Sequence, residues 1–135
     1  MTPDQFVSRA LALPGLPWVR WHSDWSGADC YGLVVLWHRE VLGIELGPVP
    51  ETDIAAGFAV ATGWVPSDPV SGATAWMAWR GGAPAHCGIL ALPGMVLHSE
   101  GDVGRPGLAR LTRLSAMQRM YSDLRFFRRV EVPAC

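Results

Sequence analysis

The chain has 135 residues, enough for one compact domain with a real core and too few for two. Half of it is hydrophobic and 17% is charged, which excludes a disordered chain, while the longest unbroken aliphatic or aromatic run, Leu33 to Trp37, is far short of the roughly 20 residues of a membrane helix. The net charge of −1 argues against a nucleic-acid binder that must neutralise many phosphates.

At the N-terminus, Thr2-Pro3-Asp4-Gln5 reads as a helix start, with Thr2 as N-cap, Pro3 at the first helical position and Gln5 completing a capping box. Phe6, Ala10 and Leu13 follow at helical spacing, and Pro14-Gly15 stops the helix. A loop from Leu16 to Ala28 carries Trp18, Trp21 and Trp25. Asp29 is the N-cap expected for a second helix to about Leu42, whose buried face is Leu33, Val34, Trp37 and Val41; Gly43 ends it. Thr52 or Asp53 is expected to open a third, short helix through Ala61, closed by Gly63.

Beyond this point the pattern turns to strands. Ala73–Trp79, Ala85–Leu92 and Met95–His98 are short apolar runs cut by Gly81-Gly82 and Pro93-Gly94, as in an antiparallel meander. Trp76 and Trp79 differ in parity, so one is expected to face the core and the other solvent or a partner. A helix over about Leu108–Tyr121 and a last strand over about Phe126–Val132 complete the reading. Helices first and a small sheet second predict an α+β fold in a single domain spanning residues 1–135.

Charge is unevenly spread. All 11 basic residues are Arg, and from Arg105 to Cys135 seven of them face only Asp123 and Glu131, a formal +5 against −6 for the first 104 residues. A solvated helix face plus a last strand explains this basic end, and so does docking on an acidic partner. Three cysteines at wide spacing, Cys30, Cys87 and Cys135, suggest no disulfide framework. The opening Met1-Thr2-Pro3-Asp4-Gln5 lacks the basic and apolar stretches of an export signal, so synthesis in a reducing cytoplasm is expected.

Chemistry concentrates at Cys30, in the first turn of the second helix. Free backbone N–H groups and the helix dipole there favour negative charge, which raises the thiolate fraction of a cysteine. A thiolate nucleophile needs a base within reach and a partner to orient the base. His38 is two turns along the same helix, about 12 Å from Cys30 by helix rise, and is too far. His22 sits in the Trp loop. His86 opens one predicted strand and His98 closes the next. A strict two-residue Pro93-Gly94 turn puts these two on opposite faces, whereas a three-residue loop or one bulge brings them together.

These residues carry a family resemblance. Gly15-Leu16-Pro17-Trp18 followed by Gly27-Ala28-Asp29-Cys30-Tyr31-Gly32-Leu33-Val34 resembles the opening of the NlpC/P60 cysteine peptidases; Ala85-His86-Cys87-Gly88-Ile89-Leu90 and Val96-Leu97-His98-Ser99 are similar to that family's two histidine blocks, in the same order. The resemblance implies a papain-like α+β fold with N-terminal helices packed on a small antiparallel sheet. It also implies a Cys-His-His peptidase acting on peptidoglycan stem peptides next to D-glutamate and diaminopimelate. Cys30 would be the nucleophile, His86 its base and His98 the orienting residue, with Asp29, Trp18 and His22 lining the substrate or oxyanion side. Asp29 also has a plain N-cap role. Trp18 stands where the family has Tyr, and Gly72-Ala73-Thr74 where it has Gly-Asp.

Arg39-Glu40, Gly43-Ile44-Glu45-Leu46, Leu111-Thr112-Arg113-Leu114 and Phe127-Arg128 are similar to the phage-tail and gene-transfer-agent branch. This implies a virion tail location, action in the periplasm or on the cell wall, and tail-tip or hub proteins as partners, with no nucleic acid and no membrane span. An inactive tail-tip plug or adaptor that retains the fold is the alternative, and a cytosolic amidase or acyltransferase of the same superfamily a third. No cofactor is expected. Zinc held by Cys30, His86 and His98 is conceivable, but neither C-x-x-C nor H-x-x-x-H spacing backs it, and no metal is expected.

Overall fold

The structure, a computed structural model, describes residues 1–47 and 63–130. The chain runs α1 (Pro3–Leu11), β1 (Ser23–Asp24), β2 (Gly27–Ala28), α2 (Cys30–Trp37), β3 (Trp64–Pro66), β4 (Ala75–Arg80), β5 (Ala83–Leu92), β6 (Met95–Ser99), β7 (Ala109–Arg113), α3 (Leu114–Met120) and β8 (Asp123–Arg129). Strands β3 to β8 form a six-stranded antiparallel sheet in the order β3-β8-β4-β5-β6-β7, and β1 and β2 form a separate ribbon. The expected helix between Thr52 or Asp53 and Ala61 lies outside the described residues, as does the far end of the strand expected to reach Val132. Among the described residues no helix is long and apolar enough to cross a membrane.

Helix α1 starts as its sequence dictates: Thr2 and Gln5 exchange side-chain to backbone hydrogen bonds in a capping box, with Pro3 at the first position. Phe6 and Ala10 are buried, but Leu13 is 96% exposed, contrary to its expected place on the apolar face. Pro14 disfavours the α conformation in the residue before it, so the helix ends at Leu11 and Leu13 swings out.

Helix α2 is apolar on every side and wholly buried after Cys30. It continues as a π-helical turn over His38–Leu42, where the His38 N–H is shared between the carbonyls of Val34 and Val35, and closes at Gly43 with φ of 68°. Arg39 and Glu40 brace this end. Arg39 donates to Glu45 at 2.8 Å and to the Ser23 carbonyl at 2.9 Å, and Glu40 accepts from the Trp25 indole.

The sheet divides two cores. On one face Phe6, Leu33, Leu36 and Trp37 pack against Ala75, Met77, Cys87, Ile89 and Leu97. On the other, Trp76, Ala78, Leu90 and Val96 enclose Met117 of α3. Trp76 is fully buried in the second core and Trp79, three residues on, is half-buried against the first, as their parity requires. The helix expected over 108–121 is half wrong: residues 109–113 form the edge strand β7, and only 114–120 are helical. Leu108, Leu111, Leu114 and Met117 mimic a helical repeat, while the alternation of β7 is weak because Arg110 and Arg113 sit on an exposed edge. The short β3 and the β1–β2 ribbon also escaped the sequence reading.

Candidate active site

The turn between β5 and β6 decides whether two histidines can meet. Leu92 pairs with Met95 across a two-residue Pro93-Gly94 turn, yet Leu90 pairs with Val96 and Ile89 with Leu97, so Ala91 is an extra residue. This one bulge reverses the parity of everything before it. His86, Gly88 and Leu90 then share a face with Val96 and His98. The His86 Nε2 lies 3.0 Å from the His98 Nδ1, and the His98 Nε2 lies 2.8 Å from the Thr112 hydroxyl of β7. A polar chain thus crosses three strands. Gly88 is needed behind it, because a Cβ there would stand 2.5 Å from the Leu97 carbonyl oxygen and 2.7 Å from the Trp76 ring. That ring meets both imidazoles edge-on, with centroids 5.4 and 6.0 Å away.

Both imidazoles are buried. Burial, then His98 and Arg80, push the His86 pKa down to about 3; burial also lowers that of His98, against the pull of Glu100. Both rings are therefore neutral at neutral pH. Two proton orders fit neutral rings, because the Thr112 hydroxyl can donate or accept; in the one that leaves a lone pair on His86 Nδ1, His86 Nε2–H donates to His98 Nδ1 and His98 Nε2–H donates to the Thr112 oxygen. In either order His86 Nδ1 is the ring nitrogen outside this chain of hydrogen bonds.

Cys30 reaches the same place from the other core. Asp29 caps α2 by accepting from Gly32 N at 2.7 Å and also accepts from Trp21 N. Burial pushes its carboxyl up, and these two hydrogen bonds oppose that. Gly32 is required because a Cβ would overlap the His22 carbonyl oxygen at 1.8 Å. Ser99, next to His98 but facing the other way, donates to the Ala28 carbonyl at 2.7 Å and so ties the histidine strand to the start of α2. Cys87 lies in the first core beside Cys30, and burial first, then Cys30, push its thiol well up, which keeps it protonated.

Cys30 and His86 line one cavity of about 780 Å³, together with Trp18, Tyr121 and the rim residues Arg80, Glu100, Asp102, Arg105 and Arg110. Trp18 is held there by its backbone N–H, which donates to the Gly107 carbonyl at 2.8 Å. Of the six residues singled out from sequence, Cys30, His86, His98 and Trp18 converge. Asp29 and His22 do not line this cavity: Asp29 is buried in the N-cap role also expected for it, and the His22 side chain is exposed with its Nδ1 3.0 Å from the Arg20 carbonyl. Thr112, Ser99 and Tyr121 were missed. Thr112 and Tyr121 fell inside the mistaken helix, and only the period-2 alternation of residues 109–113 could have exposed Thr112.

No protein-family model matches the sequence, and no curated protein matches it. Among solved structures, the NlpC/p60 domain of the peptidoglycan hydrolase SagA is similar, with 19% identity, a TM-score of 0.55, and coverage of 96% of this chain and all of that one. Residues 1–47 and 63–130 therefore display a mixed α+β architecture with the NlpC/p60 papain-like fold.

Proposed function

We propose that this chain is a cysteine peptidase that hydrolyses peptide bonds of the bacterial wall. One observation carries the reading: Cys30, at a helix start, shares a cavity with His86, whose far nitrogen is tied to His98 and Thr112. His86 Nδ1 takes the Cys30 Sγ proton, and the thiolate adds to the scissile carbonyl carbon. The Cys30 backbone N–H, which has no intrahelical acceptor at the first helical position, is the donor available to the developing oxyanion, and Trp18 in the cavity wall carries an indole N–H as a second candidate. His86 then passes its proton to the departing amine, leaving a thioester. Water attacks that thioester with its proton going to His86, which returns it to sulfur as the acid product leaves. His98 and Thr112 hold the ring so that Nδ1 stays the accepting nitrogen throughout. Rim arginines at 80, 105 and 110 suit the free carboxylates of stem peptides.

Sequence similarity to the tail-associated branch supports a finer reading, a hydrolase carried on the tail of a phage-like particle with the Arg-rich last strand toward its hub. The rival, an inactive plug, draws on Trp18 replacing a tyrosine. Full-length protein incubated with purified peptidoglycan should release stem peptides, and Cys30→Ala should lower the rate at least about a thousandfold with an unchanged circular dichroism spectrum. Equal turnover by that variant overturns the peptidase reading. Fast iodoacetamide modification confined to Cys30 speaks against the plug, and equally slow thiols speak for it; detection of the chain in purified particles tests the location.

A further inference from the structure

The polar face of β5 and β6 carries one more group than the proton relay uses. Glu100 follows His98 by two residues and so returns to the same side of the strand, and the pairing of Ile89 with Leu97, continued three residues along, sets His86 across from Glu100. The Glu100 Oε1 lies 3.6 Å from the His98 Nδ1, which is itself 3.0 Å from the His86 Nε2, and the three donor atoms all fall within 4.8 Å of one another. Donors about 2.1 Å from a tetrahedral zinc stand about 3.4 Å apart, so this spacing needs little adjustment to hold an ion.

We infer that His86 Nε2, His98 Nδ1 and Glu100 Oε1 form a binding site for a divalent transition ion of the zinc class, with the fourth position open to the cavity. Two imidazoles and one carboxylate are a donor set that zinc accepts, and the sequence spacing hid it because the ligands come from a cross-strand pair and an i, i+2 step. His98 is already oriented for coordination, because its other nitrogen is occupied by Thr112, the kind of outer partner that fixes a ligating ring. Arg110 lies 4.0 Å from the opposite carboxylate oxygen, Oε2, and leaves Oε1 for the ion.

Coordination has a definite effect on the peptidase proposed above, and only this part rests on that reading. An ion on the His86 Nε2 needs its lone pair, so the ring proton moves to Nδ1, the nitrogen that must accept from Cys30. Metal binding and catalysis therefore exclude each other, and zinc acts as a reversible inhibitor.

The test uses the full chain, freed of metal, titrated with zinc chloride by calorimetry and with cobalt chloride by visible absorption. The expected result is one ion per chain with the intense bands of four-coordinate cobalt. Glu100→Gln should weaken binding at least about tenfold, Thr112→Val should weaken it by about tenfold through His98, and Cys30→Ala should leave it unchanged. No binding, affinity unaffected by both Glu100→Gln and Thr112→Val, or loss of binding in Cys30→Ala overturns the site, the last by assigning the ion to the thiols. Zinc should also suppress release of stem peptides and a chelator should restore it; turnover undiminished by saturating zinc overturns the inhibitory role. If no peptidase activity exists, the titrations still decide the metal site on their own.

Discussion

Strands β5 and β6 show two unlike faces. Toward α1 and α2 they offer Cys87, Ile89, Ala91 and Leu97, all apolar and all buried against Phe6, Leu33 and Trp37. Toward α3 they offer His86 and His98, equally buried but held in a hydrogen-bonded chain that ends on Thr112. The difference teaches that burial serves two purposes in one sheet. On the first face removing water stabilises the fold, and on the second it keeps two imidazoles neutral within their hydrogen-bonded chain. Variation on the first face should be read in stability and, under the proposed peptidase reading, on the second in rate.

The strongest way to break the apolar side is Trp37→Ala. Trp37 is fully buried, packs edge-on to Phe6 with ring centroids 4.8 Å apart, and donates its indole N–H to the Gly72 carbonyl at 3.0 Å. Its removal should cost about 4 kcal/mol, seen as an earlier midpoint in urea denaturation. An unshifted midpoint would mean that this core is not what holds the helices to the sheet.

Next is His38, on the helical side. It donates from Nδ1 to the Val34 carbonyl at 2.8 Å, and burial, with a contribution from Arg129, pushes its pKa down to about 4. The unfolded chain binds the proton near 6.5 while the folded chain refuses it. The stabilisation is therefore complete above about pH 6.5 and is lost as pH falls toward 4, up to about 3 kcal/mol. His86 and His98, also depressed, add to the same acid sensitivity. Urea midpoints across this range should fall with pH, and His38→Phe should flatten part of the slope; an equal slope in both proteins would remove His38 from the account.

The smallest change in stability sharpens the contrast most. Thr112→Val keeps shape but takes away the hydroxyl that hydrogen-bonds the His98 Nε2, at a cost of about 1 kcal/mol. Under the proposed peptidase reading the rate should drop by about tenfold, in kcat with little change in KM, and Thr112→Ser should restore it. A loss confined to KM would make Thr112 a substrate contact instead.

Much of this was legible in the sequence where local chemistry decides. The capping box at Thr2 and Gln5 and the Asp29 cap beneath Cys30 are each set by a few adjacent residues, and both formed as read. The order of Cys30, His86 and His98 pointed to one site through the family resemblance, not through local chemistry. What escaped depends on partners distant in the chain. Ala91 looks like any apolar strand residue, and its bulge exists only in the pairing with β6. Thr112 sat in a run whose leucines repeat every three residues, and its strand became visible only against β6. Ser99 gained its meaning from the carbonyl of Ala28, far away in sequence.

The supernumerary Ala91 makes the hairpin unequal in its tolerance of length change. A deletion at that residue would iron the ribbon flat and still leave both imidazoles in step, because the spare position is the one given up. A deletion between His86 and Leu90 would instead turn His86 over to the side of the helices and bring Cys87 round to the side the ring had occupied. Gaps in natural variants of this ribbon should accordingly gather on the turn side of Leu90, a footprint of selection on parity rather than on any single side chain.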